Sequence, residues 1–203
     1  MPAQLHILVL EDNLLDAELA ILALDQAGYA CQWDCVDTRA AFLAHLDSQI
    51  YDLVISDYNL PTFDGLSAVQ LLRQRDPDLP FILVSGTLGE ETAIESLKAG
   101  ATDYVVKSHL ARLPPVVTRA LRERDEQRQR REAEARYRDL FENANDMIYT
   151  RDLNGHFTSV NGMGERITGY SREQLLTMTL DQLFGPEYLH LRAEEIIRLY
   201  GEA

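Results

Sequence analysis

Cysteine is nearly absent: the 203 residues contain two, Cys31 and Cys35. Both fall in one short predicted strand, where residues i and i+4 lie too far apart to bridge. No disulfide framework supports the fold, and a reduced, cytoplasmic setting is expected. Basic charge is also scarce, with 19 Lys and Arg against 33 Asp and Glu and a net charge of −14. So acidic a chain argues against nucleic-acid phosphates or an anionic membrane surface as the main partner. No apolar run approaches the ~20 residues a membrane-spanning helix needs. The opening MPAQLHILVLED lacks a basic segment and meets acids at once, unlike a secretory signal.

What is present suits two globular parts of about 100 residues each. Residues 1–113 carry 6 basic and 17 acidic side chains, 114–138 carry 8 and 5, and 139–203 carry 5 and 11. The middle stretch is almost entirely Arg, Glu, Gln and Ala, with neither Gly nor Pro after Pro115. These are strong helix formers with opposite charges at helical spacings, so a linker helix over 114–138 is predicted. Its apolar seam of Val117, Leu121, Ala135 and Leu140 is interrupted by the Arg and Gln of 122–131. Two readings stay open, a single solvated helix and a marginal homodimer contact reinforced by the part beyond it.

The first part alternates apolar runs with helical patterns. Strands are predicted at 5–10, 30–36, 52–56, 81–85 and 104–106, and helices at 14–28, 38–49, 66–75, 90–99 and from about 110. Thr38 is a candidate N-cap. Short β-branched runs between helices indicate a parallel sheet covered on both faces, a flavodoxin-like doubly wound α/β domain. Such sheets place their sites at the carboxyl ends of the strands.

Those ends carry Glu11-Asp12, Asp57, Ser85 and Lys107. Taken singly, each reads as a helix cap or loop residue. Together, three carboxylates on one sheet edge repel one another unless a cation sits among them, and a hard divalent ion such as Mg²⁺ or Mn²⁺ suits an all-oxygen set. Lys107 adds a second positive charge, and Ser85 a hydroxyl for an incoming anion.

LVLED (8–12), ISDYNLPTFDG (55–65), ILVSG (82–86) and GATDYVVK (100–107) resemble the receiver domain of two-component response regulators, across residues 4 to about 125 of a domain placed at 1–125. The resemblance implies a five-stranded sheet of order 2-1-3-4-5. Asp57 then accepts a phosphoryl group from a phosphohistidine of a histidine kinase or phosphotransfer protein. Glu11, Asp12, Asp57 and the backbone carbonyl of Asn59 hold the metal, Ser85 and Lys107 bind phosphoryl oxygens, and Ser85 with Tyr104 forms the switch. Glu11 stands where many members have Asp, and Ser85 where Thr is common. The chemistry of each position is kept. Two rivals fit less well: a haloacid-dehalogenase-like hydrolase wants a second Asp where Asn59 stands, and the acidic EDNLLD loop repels a flavin phosphate.

Beyond residue 137, MIYTRD (147–152) and HFTSVN (156–161) flank Asn154-Gly155, a type I′ hairpin signal. TGYS followed by REQLL (168–176), with Ser171 as N-cap, completes a resemblance to the first half of a PAS sensor domain, an α+β fold, over 139–203. A helix is predicted at 188–199, and the family's last three strands are expected to lie beyond Ala203. His190 reads as a helix-surface residue rather than a haem ligand, and no PAS cofactor is expected. No kinase ATP-binding glycine motif or dimerisation-domain His box is present, so the expected protein is a phosphorelay response regulator and not an enzyme. The alternative is the regulatory N-terminal fragment of a larger hybrid sensor histidine kinase.

Overall fold

The computed structural model describes residues 4–61, 63–86 and 90–185, the side chains of 90–92 excepted. The helix expected at 188–199 and His190 lie outside the described residues. The chain divides into two units, 1–129 and 130–203.

The first unit alternates β1 (Gln4–Leu10), α1 (Leu14–Gln26), β2 (Ala30–Val36), α2 (Arg39–Ser48), β3 (Leu53–Asp57), α3 (Gly65–Arg75), β4 (Phe81–Ser85), α4 (Glu90–Lys98) and β5 (Asp103–Val106). A 3₁₀ turn (Lys107–Arg112) then leads into the long α5 (Leu113–Glu142). The five strands are parallel in the order β2-β1-β3-β4-β5. The expected fold and strand order are those observed.

The reason lies in period-two burial on both faces. In β1, Leu5, Ile7 and Val9 face a core completed by Leu24 of α1 and by Leu113 and Val117 of α5, while Leu8 and Leu10 face one completed by Phe42, Val69 and Leu72. A strand buried on both sides reads as an unbroken apolar run. Thr38 does cap α2, accepting from the Ala41 amide. The last helix starts three residues later than predicted because the 3₁₀ turn comes first, and Pro114 and Pro115 then sit in the first turn of α5, where no amide partner is missed.

One long-range device holds the edge near β5. The Arg73 guanidinium donates to the carbonyls of Gly100 (2.8 Å), Leu79 (2.8 Å) and Asp76 (3.3 Å), and to the Thr102 hydroxyl (3.4 Å). Gly100 has φ +107°, and a Cβ there would meet the Arg73 side chain at 3.0 Å. Arg73→Ala removes the charged donor from all three carbonyls and is expected to cost about 2 kcal/mol. A urea titration should show a lower midpoint with an unchanged slope.

Along α5 the predicted opposite charges pair, as in Arg122–Glu126 at 3.5 Å and Arg130–Glu134 at 2.8 Å. Val117 is buried and Leu121 packs against the first core, so Ala135 and Leu140 alone of the four seam residues remain exposed.

The second unit contains β6 (Tyr149–Arg151), β7 (Phe157–Val160), α6 (Gly162–Thr168), α7 (Arg172–Leu176) and α8 (Leu180–Phe184). β6 and β7 form an antiparallel hairpin over a small core of Phe157, Val160, Leu175 and Leu180. Buried Asn161 accepts from the Ile148 and Gly164 amides and donates to the Asp146 carbonyl, joining the hairpin to α6. Ser171 caps α7 in a full capping box with Gln174. Glu142 accepts from Arg172 through both oxygens at 2.7 Å, which holds its carboxyl below the usual range.

The hairpin turn corrects the sequence expectation. Type I′ needs positive φ at both central residues, yet among the described residues only glycines have positive φ. Gly155 (φ +89°) therefore closes a longer loop whose amide donates to the Asp152 carbonyl at 3.1 Å. Asp152 Oδ1 accepts from the Asn154 and His156 amides, both at 2.9 Å. That side-chain turn outweighs the Asn-Gly preference.

Candidate functional site

β1 and β3 are neighbours in the sheet although the chain visits β2 between them, so the strand order reverses there. A doubly wound sheet opens a crevice at such a point. Asp57 is the last residue of β3, and Glu11 directly follows β1. Both are buried, and Asp12 is exposed beside them. One oxygen from each of Glu11, Asp12 and Asp57 lies within 4.8 Å of the others. The three predicted carboxylates are together.

Lys107, just past β5, enters the same crevice. Its Nζ donates to Glu11 Oε2 at 2.8 Å, Asp57 Oδ2 at 2.8 Å and Asp16 Oδ2 at 2.6 Å. Burial works to lower the Lys107 pKa, but the hydrogen bonds to Asp16, Asp57 and Glu11 outweigh it and hold it above its ordinary value. Burial, aided by the Asp57 charge, pushes the Glu11 carboxyl up, against the pull of Lys107 and the Asn13 amide. A cavity of about 60 Å³ beside Glu11, Asp16, Asp57 and Lys107 is also lined by apolar Val9, Ile55, Val84 and Leu110 and has room for a few waters.

The loop after Asp57 is shaped by a close approach. A Cβ on Gly65 would lie 2.5 Å from the Asp57 carbonyl oxygen and 2.4 Å from Leu83 Cδ2, so only glycine fits. Asp64 caps α3 by accepting from the Ser67 amide at 2.7 Å. The Asn59 amide donates to Asp57 Oδ1 at 3.3 Å, which places exposed Asn59 at the rim.

Ser85 ends β4 and is fully buried. In the β4–β5 register, Leu83 is opposite Tyr104 and Ser85 opposite Val106. Ser85 and Tyr104 therefore share one sheet face as diagonal neighbours, and half-buried Tyr104 packs against the core of that face. Asp16 was missed by the sequence reading. Its signal was its spacing, one helical turn after Asp12 on the helix that leaves the site.

A response regulator receiver domain matches residues 7–117, more than half the chain. The chain belongs to the response regulator receiver family. A PAS domain matches residues 135–200. The transcriptional regulatory protein TctD of Salmonella typhimurium is 37% identical over 103 residues, 51% of this chain and 45% of TctD. The match thus spans less than half of that curated relative. The Brucella abortus NtrX structure has a TM-score of 0.56 and 29% identity, covering 66% of this chain and 30% of NtrX. The receiver domain of a sensor histidine kinase from Pseudomonas aeruginosa, solved with magnesium coordinated in its active-site cleft, has a TM-score of 0.51 and 25% identity over 59% of this chain and 98% of that one. Among the described residues, no helix of this receiver-family chain is long and apolar enough to cross a membrane.

Proposed function

We propose that this receiver is a divalent-cation-dependent phosphoacceptor, with Asp57 as the nucleophile. The observation that carries the reading is the ammonium of Lys107 held 2.8 Å from Asp57 Oδ2, beside a set of three converging carboxylates. An all-carboxylate set with one exposed member suits a hard ion that keeps part of its water shell, so Glu11, Asp12, Asp57 and the Asn59 carbonyl would hold Mg²⁺ or Mn²⁺. When bound, the ion supplies positive charge to the equatorial oxygens of a transferring phosphoryl group.

Asp57 contributes a carboxylate oxygen that bonds to phosphorus as the phosphorus–nitrogen bond of a donor phosphohistidine breaks, and the imidazole leaves with the electron pair. The donor is a histidine kinase or phosphotransfer protein. Lys107 turns its donors from Glu11 and Asp57 to phosphoryl oxygens. Buried Ser85 donates to another phosphoryl oxygen, and its movement opens space on the face it shares with Tyr104. Residues 1–125 form the switch, α5 carries its state onward over 114–138, and the PAS part at 139–203 is the module that receives it.

The full chain, incubated with acetyl phosphate and Mg²⁺, should gain one phosphoryl group by intact mass. The group should be stable to acid and labile to base, as an acyl phosphate is, and EDTA should prevent its formation. Equal labelling in EDTA would remove the metal from the reading.

A further inference from the structure

Lys107 has three N–H donors, and Glu11, Asp57 and Asp16 accept all three. Asp16 differs from the other two. Glu11 and Asp57 belong, with Asp12, to the group whose oxygens converge within 4.8 Å, and Asp16 does not. A cation among those three competes for the lone pairs of two of the ammonium's acceptors. The contact to Asp16 is the one it leaves untouched. A first-turn acid also suits the positive end of α1, where Asp16 sits. That accounts for a carboxylate in the turn, but not for its aim at a side chain 91 residues away.

We infer that Asp16 is a positioning residue for Lys107, tethering the ammonium beside Asp57 while its other two donors turn to the phosphoryl oxygens. The inference rests on the phosphoacceptor reading above. A lysine is a point charge on a flexible four-carbon stem, so a fixed partner on a rigid helix narrows where the charge sits before the phosphoryl group arrives. The effect opposes simple electrostatics. Deleting a negative charge from an anion-receiving crevice speeds the approach of an anionic donor, whereas deleting a tether slows the transfer.

The test compares the full-length wild type, Asp16→Ala, Asp16→Asn, Lys107→Ala and the Asp16→Ala/Lys107→Ala double variant. Labelling rates with acetyl phosphate at saturating Mg²⁺ are read by intact mass, Mg²⁺ affinity by calorimetry, and folding by urea midpoints in EDTA. Asp16→Ala should slow labelling about fivefold, with Asp16→Asn recovering part of the rate through its remaining acceptor oxygen. In the Lys107→Ala background the Asp16 change should add no further slowing, and Asp16→Ala should leave Mg²⁺ affinity undiminished. The urea midpoints of the two single variants should be non-additive, since the pair is in direct contact. Faster or unchanged labelling overturns the tether. So does equal slowing in both backgrounds, the mark of a merely structural role, or a clear fall in Mg²⁺ affinity, the mark of a metal ligand. A wild type that takes no label, or an Asp57→Asn variant that still does, overturns the phosphoacceptor reading and the tether with it.

Discussion

Asp57→Asn is expected to abolish labelling by acetyl phosphate. The substitution keeps the size of a buried side chain at the end of a strand that is buried along its whole length, so the sheet should be unaffected. The chemistry is lost. An amide oxygen carries no formal charge and is a poor nucleophile toward phosphorus, and the change also removes one of the three converging carboxylates. On the proposed reading both effects act in the same direction, on the nucleophile and on the metal site. Intact mass after prolonged incubation should show no added phosphoryl group, while circular dichroism matches the wild type. Undiminished labelling of a folded Asp57→Asn protein would place the acceptor elsewhere.

The second large effect is expected at Lys107. Lys107→Ala removes the only cation that the described structure sets against Glu11, Asp16 and Asp57, and on the proposed reading it removes a phosphoryl contact as well. Transfer should be strongly impaired. Mg²⁺ should bind at least as tightly as in the wild type, because the uncompensated carboxylates gain a dication in place of the lost ammonium. A sharp fall in Mg²⁺ affinity would mean that Lys107 organises the metal ligands rather than reading the phosphoryl group.

The same variant should acquire a pH dependence whose sign follows from Glu11. Burial already lifts this carboxyl above its ordinary 4.5, and Lys107 is the main influence pulling it back. Without Lys107 it rises further. A carboxyl with a folded pKa above its unfolded one supports folding most when both states are protonated, below about pH 4.5, and that support is lost as pH rises through the folded pKa. In EDTA, Lys107→Ala should therefore lose more stability than the wild type when the pH is raised from 4.5 to 7. Added Mg²⁺ should restore more stability to the variant than to the wild type, because it binds the folded state and replaces the missing charge. Urea titrations at the two pH values, with and without Mg²⁺, measure both effects.

Where a feature depends on neighbours in sequence, the chain itself was readable. Leu53–Ile55 of β3, Phe81–Val84 of β4 and Ile7–Leu10 of β1 are apolar runs because each is covered on both faces, and that demand is met residue by residue along the strand. Thr38 and Ser171 were legible as caps because a cap is a bond to an amide two or three positions on. The local reading failed at Asn154-Gly155, where the Asp152 carboxylate, two residues upstream, competes for the turn amides and selects another loop. It left the helical seam undecided, since apolar spacing alone does not tell a residue facing the sheet, as Val117 does, from one facing solvent, as Leu140 does.

The sequence by itself determined the alternation of strands and helices, hence the parallel sheet, and it determined which polar side chains stand at the strand ends. Only the tertiary structure decided which of those side chains meet. Asp16 and Lys107 are 91 residues apart, and Arg73 reaches Gly100 across 27. Hydrophobic periodicity reports which face of an element is buried and says nothing of which element covers it. The strand order β2-β1-β3-β4-β5 supplies that information, because it brings the ends of β1 and β3 side by side and β5 close enough for one lysine to span three carboxylates.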